Sequence, residues 1–375
     1  MQIAAYVYPG WHPIPERDES FHKGFTEWEL VRDCRPRFSG HTQPRRPLLG
    51  EYDDRDPLEV GRRVALAAAH GVGPLVYGVF WCRGKRVFEE ALDRGFLGSA
   101  IGQRHPFAVM WANRMPRRVL PVRRPDLPVI DEARRVPSDV EDFVRFIRHL
   151  GERYFCRDNY LRLGGRSYFS IFDTSFFLRE LGLAHAAEAI RAARAELRES
   201  GLPDLHLAAI EPGGDVIGHL RELGFDSVTH YVYLPEWKGP LLQDYDELAR
   251  RRAGEWERWA RASGLPYMPS VSPGWDASPR GADFGPERPD KYPWSPVVTG
   301  EHPARFHDAL RRAVRFARAA RFAHAAPGPG TASSSDGDEP LVFVSSLNEW
   351  SEGHYLEPDE RFGTGWLEAV RDARP

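Results

Sequence analysis

Eight short apolar runs, set apart by longer stretches of helical periodicity, constrain this chain more than any other feature of its sequence. The runs are Ile3–Tyr8, Pro74–Trp81, Phe107–Trp111, Tyr168–Phe172, Leu205–Ile210, Ser227–Tyr233, Tyr267–Val271 and Leu341–Ser345. Helical patterns fall between them, over Asp56–His70, Phe88–Leu97, Ser138–Cys156, Ala184–Ser200, Val216–Leu223, Tyr245–Ser263 and Pro303–Ala325, with a last one over Gly365–Asp372. Strands that alternate with helices must pair in parallel, because each helix carries the chain back to the start of the next strand. Eight such units in 375 residues predict an α/β fold: a single (β/α)8 TIM-type barrel over residues 1–375, with long loops on its C-terminal face. An open doubly wound sheet is the alternative. No Gly-x-Gly-x-x-Gly turn follows the first strand, so a dinucleotide site lacks its usual signature and no cofactor is expected.

Local signals agree with this rhythm. Ser138 precedes Asp139, Glu141 and Asp142, which suits an N-cap followed by an acidic first turn. Pro303 suits a helix start, and Gly71 and Gly264 suit helix ends. Two segments break the pattern. Residues 326–340, APGPGTASSSDGDEP, read as a flexible loop with no chemistry implied. Residues Arg114–Pro137 form a Pro- and Arg-rich stretch after the third strand, on the side where such barrels carry their sites.

Charge excludes one class of partner. The chain has 51 Lys and Arg against 54 Asp and Glu, a net −3, so no basic field covers it to draw nucleic acid. No apolar run approaches the ~20 residues of a membrane span. The opening MQIAAYVYPGWH lacks the features of a secretory leader. Cys34, Cys82 and Cys156 lack metal-type spacing and read as reduced thiols. A cytoplasmic protein is expected.

The strongest chemical feature follows the last apolar run, in LVFVSSLNEWSEGHYLEP. Polar residues directly after a barrel strand point into its mouth. Glu349 and Glu352 lie three apart and converge if the chain turns there. Glycosidic-bond chemistry commonly uses two such groups, one of them protonated. Their proximity would itself drive the two pKa values apart. The plainer alternative is a solvated helix start, which also favours acidic residues. The strand-end position and the flanking Asn348, Trp350 and Gly353 favour a site. The long polar segment after the first strand is the other unusual region, with helix-poor aromatic clusters at Trp11–His12 and Gly24–Trp28. Loops of this length on a barrel face are usually functional. His12, His22 and His41 are too irregularly spaced to justify a metal site.

Taken together, PGWHPIPERD, GFTEW, PRFSGHTQPRRP, WAN, SPGWDASPR and NEWSEGHYLEPDERFGTGWLEAV resemble the motif series of the WbsX-like family. That family is labelled glycosyltransferase and is related to glycoside hydrolase family 99. The resemblance runs in order from Tyr6 to Val370. It implies a (β/α)8 barrel and retaining chemistry on an α-linked, mannose-like glycan through a 1,2-anhydro sugar. By the same resemblance, Glu349 would deprotonate the sugar 2-hydroxyl, and Glu352 would protonate the leaving oxygen and later activate water. The chain departs from the family where Arg114, Met115 and Pro116 follow Trp111–Asn113, in place of the usual Glu and Trp, and where Leu347 stands for a usual Trp.

Candidate sugar contacts are Asp276 and Arg280, the aromatic faces of Trp11, Trp28, Trp81, Trp111 and Trp275, the strand-end Tyr8 and Tyr231, and His12, Glu27, Asn113 and Asn348. For the tryptophans, core packing is an equal alternative. For Asp276 and Arg280, a structural ion pair is. The expected partner is an oligosaccharide or polysaccharide, anionic if Arg114, Arg117, Arg118, Arg123 and Arg124 meet a phosphate or uronic acid. A solvated loop neutralised by Asp126, Asp131 and Glu132 is the plainer alternative for those arginines. Two other functions compete with glycoside hydrolysis or transglycosylation. One is a glycosyltransferase-like role in surface polysaccharide biosynthesis, for which no D-x-D motif appears at a strand end. The other is a non-catalytic carbohydrate-binding barrel, against which both carboxylates argue.

Overall fold

The computed structural model describes residues 1–113, 139–281, 290–324 and 341–374. The expected loop over 326–340 and the Arg-rich stretch 114–137 lie outside the described residues.

Eight strands form one parallel sheet: β1 (Gln2–Val7), β2 (Val72–Cys82), β3 (Phe107–Trp111), β4 (Arg166–Ile171), β5 (Leu205–Ile210), β6 (Ser227–Thr229), β7 (Ser270–Val271) and β8 (Leu341–Val344). They neighbour one another in the order β7-β8-β1-β2-β3-β4-β5-β6. The ends of that series meet through a parallel bridge between Val228 and Tyr267. There Val228 N–H donates to Pro266 O at 2.9 Å and Met268 N–H donates to Val228 O at 2.8 Å. The sheet is thus a closed barrel, and the open-sheet alternative falls.

The strands read as continuous apolar runs because both their faces are covered, helices outside and side chains inside. Tyr6, Tyr168 and Phe343, from β1, β4 and β8, meet inside: Phe343 lies 5.3 Å from Tyr6 and 5.7 Å from Tyr168, ring centre to ring centre. Tyr231, just beyond β6, closes over Tyr6 at 4.8 Å. The helix layer includes Pro57–Ala69, Val140–Leu150, Leu183–Glu199, Tyr245–Ser263 and Pro303–His324. Asp56 caps the first of these, accepting from the N–H groups of Leu58 and Glu59. Gly71 and Gly264 end their helices at φ +84° and +63°, in the left-handed region where a side chain would strain the backbone. No helix among the described residues is long and apolar enough to cross a membrane.

Several expectations need correction. The cap of Val140–Leu150 is Asp139, whose side chain accepts from Asp142 N–H; Ser138 lies outside the described residues. The run Ser227–Tyr233 is a strand only to Thr229. Of the two clusters expected to be helix-poor, Trp11–His12 is so, whereas Gly24–Trp28 runs into a helix at Glu27–Asp33, and a further helix at Pro15–Ser20 lies between them. A further helix at Thr174–Leu181, capped by Asp173, follows β4 after two residues.

Candidate active site

Beyond β8 the chain does not run straight into a helix. Asn348–Glu349 pairs antiparallel with His354–Tyr355, and a 3-10 turn over Trp350–Glu352 joins them. Gly353 closes this turn at φ +71°. A Cβ there would approach the Asp276 backbone nitrogen to 2.9 Å, so the turn requires glycine twice over, for conformation and for space. The tight hairpin sets Glu349, Glu352 and His354 side by side. His354 Nε2 lies 3.3 Å from Glu352 Oε2 and 3.6 Å from Glu349 Oε2. Asn348 stitches the hairpin to the end of β1: its Oδ1 accepts Tyr8 N–H at 2.8 Å, and its Nδ2 donates to Tyr8 O at 3.0 Å.

Arg280 reaches the pair from the other side. It sits on a short 3-10 turn, Ser278–Gly281, after β7. Its Nη2 donates to Glu349 Oε1 at 3.0 Å, and its Nη1 to Glu352 Oε1. The same guanidinium donates to Glu27 Oε2 at 3.3 Å. One planar cation therefore spans three buried carboxylates, which its fork of donors allows and an ammonium would not. Glu27 also accepts from Arg17, Tyr8 Oη and Ser351 Oγ. Tyr231 donates its hydroxyl to Glu349 at 2.5 Å, and Tyr292 donates to Glu352 at 2.8 Å.

These surroundings separate the carboxyls. Burial pushes the Glu349 carboxyl above its usual range, and the adjacent Glu352 adds to this, outweighing Arg280 and His354. Burial alone would raise Glu352 as well, but Arg280, His354 and Tyr292 outweigh it and hold that group at about 2. Burial at Glu27 is likewise overcome by Arg280 and Arg17, and its carboxyl is held low. The pair exchanges protons as a unit. Of the two, Glu349 has the greater affinity for a proton.

The other expected contacts divide into three groups. Trp275 lies beside the pair, its ring stacked 5.7 Å from the His354 ring at an interplanar angle of 12°. Tyr8, Glu27, Tyr231 and Arg280 converge with it on the pair, as described. Trp11, Trp28 and His12 sit one layer back. Trp11 and Trp28 pack at 4.0 Å, Trp28 packs on Trp350 at 6.2 Å, and His12 Nδ1 lies 2.5 Å from Asp54 Oδ1. Trp81 and Trp111 pack against Phe146 of the helix layer at 5.0 and 5.3 Å, between sheet and helix.

Asn113 spends its amide on Asp173, donating to its carbonyl at 2.9 Å and accepting its N–H at 2.8 Å. Asp276 is fully buried and accepts from Gln43 at 2.7 Å, with His41 Nε2 at 2.8 Å. Burial would raise its carboxyl, but His41 and Arg45 hold it far below the usual range. Its partners are thus His41, Gln43 and Arg45, not Arg280.

Arg17, Ser351, His354 and Tyr292 complete the site and were not among the expected residues. The first three lie inside the motifs quoted above, so motif membership was their signal. Nothing in the sequence pointed to Tyr292. Among the described residues, two groups bring possible metal-ligand atoms within 4.8 Å of one another: Glu349–Glu352–His354 and His12–Asp53–Asp54. In the first, the Arg280 guanidinium already occupies both carboxylates and would repel a cation. In the second, Arg55 forks onto Asp53 through contacts of 2.6–3.2 Å.

Residues 3–370 match the family described as Glycosyltransferase WbsX. The WxcX protein of Xanthomonas campestris pv. campestris is 31% identical over 387 residues, an alignment that takes in 99% of this chain and 49% of that protein. The chain spans about half the length of the curated relatives it matches. Among solved structures, the GH99 endo-α-mannosidase from Bacteroides thetaiotaomicron aligns with a TM-score of 0.60 at 15% identity, over 100% of this chain and 98% of that one. A glycoside hydrolase-like protein aligns with a TM-score of 0.55 at 13% identity, over 99% and 93%. At these identities the likeness is one of fold, and the shared fold is the barrel.

Proposed function

The chain belongs to the WbsX glycosyltransferase family, and on that premise we propose that it is a retaining carbohydrate-active enzyme that cleaves or transfers an α-linked, mannose-like glycosidic bond. The observation that carries this reading is the pair of buried carboxylates at the C-terminal end of β8, unequal in proton affinity and bridged by Arg280.

In the first step Glu349 takes the proton of the substrate 2-hydroxyl, and O2 attacks the anomeric carbon. The bond from that carbon to the leaving oxygen breaks, and Glu352 protonates the oxygen. In the second step water or an acceptor hydroxyl gives its proton to Glu352 and attacks the anomeric carbon. The anhydro ring opens, and O2 recovers the proton held by Glu349. Two inversions leave the configuration unchanged. Such participation by the substrate is a known departure from the carboxylate-nucleophile scheme.

In the free protein the two proton affinities are ordered the other way. The scheme needs an ionised Glu349 and a protonated Glu352, whereas Arg280 and His354 keep Glu352 ionised in the free protein. A sugar entering beside Arg280 and Tyr292 draws them off Glu352, whose affinity for a proton then rises. His354 Nε2 lies within 3.6 Å of both carboxylates.

The test is incubation with a panel of α-linked oligosaccharides and nucleotide sugars, read by mass spectrometry for cleavage or transfer and by NMR for anomeric configuration. Glu349→Gln and Glu352→Gln should each cost at least ~100-fold in turnover, the usual scale of acid–base catalysis, with the fold retained. Near-normal turnover in either variant would defeat the assignment. A second reading, polysaccharide assembly from nucleotide sugars, is favoured by the family's own description. Transfer from nucleotide sugars, without cleavage of any oligosaccharide, would establish it instead.

A further inference from the structure

Large apolar side chains exposed to solvent are few, and they cluster. Among the described residues eight are exposed, and four of them, Trp237, Leu241, Leu242 and Tyr292, belong to two loops on the C-terminal face. The loop after β6 carries the first three and the loop after β7 carries the fourth. A short parallel pairing of Leu242–Asp244 with Val297–Thr299 ties the two loops together.

Trp237 is 52% exposed, yet its backbone is held firmly. The buried Gln243 side chain accepts from Glu236 N–H at 2.8 Å and donates to the carbonyls of Glu236 and Pro240 at 2.8 and 3.0 Å. A turn pinned in this way holds the indole up in water. Trp237 meets Trp275 edge-on at 4.9 Å, and Trp275 lies 6.4 Å from Tyr292 and stacks on His354. Ring contacts therefore run from His354, beside the carboxylate pair, through the buried Trp275 to an exposed indole.

Sugars suit such a surface, because a pyranose has an apolar C–H face that packs on an aromatic ring while its hydroxyls stay wet. Lys238, exposed beside Trp237, supplies a donor at the rim. The direction of the surface assigns the ring. Tyr292 touches Glu352, the group assigned to the leaving oxygen, whereas Tyr231 touches Glu349. We propose that Trp237 and Tyr292 form a stacking platform for the sugar ring on the leaving-group side of the scissile bond. This inference rests on the acid role given to Glu352 above.

The experiment uses the full chain carrying Glu352→Gln, which holds oligosaccharide without turning it over. Calorimetric titration runs against α-linked manno-, gluco- and galacto-oligosaccharides of two to four rings. Adding Trp237→Ala should weaken binding about tenfold or more, equivalent to ~1.4 kcal/mol, for ligands that extend past the leaving oxygen. Trp237→Phe should restore most of that affinity and Trp237→Leu little, because stacking requires a ring. Equal affinity in Trp237→Ala, or recovery by Leu equal to that by Phe, would overturn the platform and leave the catalytic reading standing. Failure of Glu352→Gln to bind any member of the panel, with no turnover by the unaltered chain, would overturn both.

Discussion

Glu27 and Glu349 are two buried carboxylates that share one arginine and end in opposite states. Each accepts from Arg280, and each accepts from a tyrosine, Tyr8 for Glu27 and Tyr231 for Glu349. Glu27 has in addition the full cation of Arg17 and the hydroxyl of Ser351, and it is held ionised. Glu349 has a second carboxylate for a neighbour, and its affinity for a proton rises. Burial is common to both; the charge count around each decides. A carboxylate with surplus donors is a strut, and one with a deficit is poised to exchange a proton.

The comparison breaks most readily at the strut. Glu27→Gln leaves the fully buried Arg17 without its counter-charge, a loss that should cost about 3–5 kcal/mol of stability. Urea unfolding measures it, and a change below ~1 kcal/mol would make Glu27 dispensable to the fold. Glu349→Gln should do the reverse. Its carboxyl binds a proton more tightly folded than unfolded, so stability falls as pH rises above the ordinary carboxylate range. The amide removes that penalty, and the inactive variant should melt higher than the parent at pH 7, with the gap closing near pH 4. A lower melting temperature at pH 7 would contradict the poised state. For Glu27, held low, the folded chain gains above the ordinary carboxylate pKa and loses that gain as pH falls, so its variant should differ most at neutral pH.

Arg280→Lys tests the shared cation. An ammonium cannot fork across three carboxylates, and a loss on the order of tenfold in kcat/KM is expected, the scale of one charge-assisted hydrogen bond. With less positive charge against Glu352, the acidic limb of the pH–rate profile should move to higher pH. An unmoved limb would mean that Arg280 does not set the state of the pair. The smallest expected effect is none: exhaustive chelation should leave turnover unchanged, because Arg280 already fills the place a cation would take. Activity lost on chelation and restored by a divalent ion would reassign Glu349, Glu352 and His354 as ligands.

The barrel was legible because its signal is periodic, and the position of Glu349 and Glu352 was legible because polar residues cut off an apolar strand. The helix at Thr174–Leu181 was hidden because it is short. Asp173, Thr174 and Ser175 do interrupt the apolar run at its start, but eight residues give the 3.6 period little length in which to show. The tryptophans show a second limit. Trp81 and Trp111 sit at the ends of strands, as a sugar platform should, but they pack against the helix layer, whereas Trp275, in a loop, stacks on His354 beside the carboxylates. Which side of a strand end a ring takes is set by parity and by neighbours that arrive from elsewhere. The bond between Glu27 and Arg280 joins residues 253 apart, a proximity that no local pattern encodes. Tyr292 was missed on the same ground.

The hairpin that Asn348 fastens to the end of β1 has a consequence for how the barrel comes into being. Strand β1 pairs with β8 on one side and β2 on the other, so its first edge waits for more than 330 residues of synthesis before its partner at Leu341 exists. At roughly 5–20 residues per second that is a wait of tens of seconds, through which an apolar edge must avoid other chains. The same order withholds chemistry. A nascent polypeptide that has displayed Glu27, Arg17 and Arg280 still lacks Glu349 and Glu352, and the segment that closes the barrel is the one that brings them.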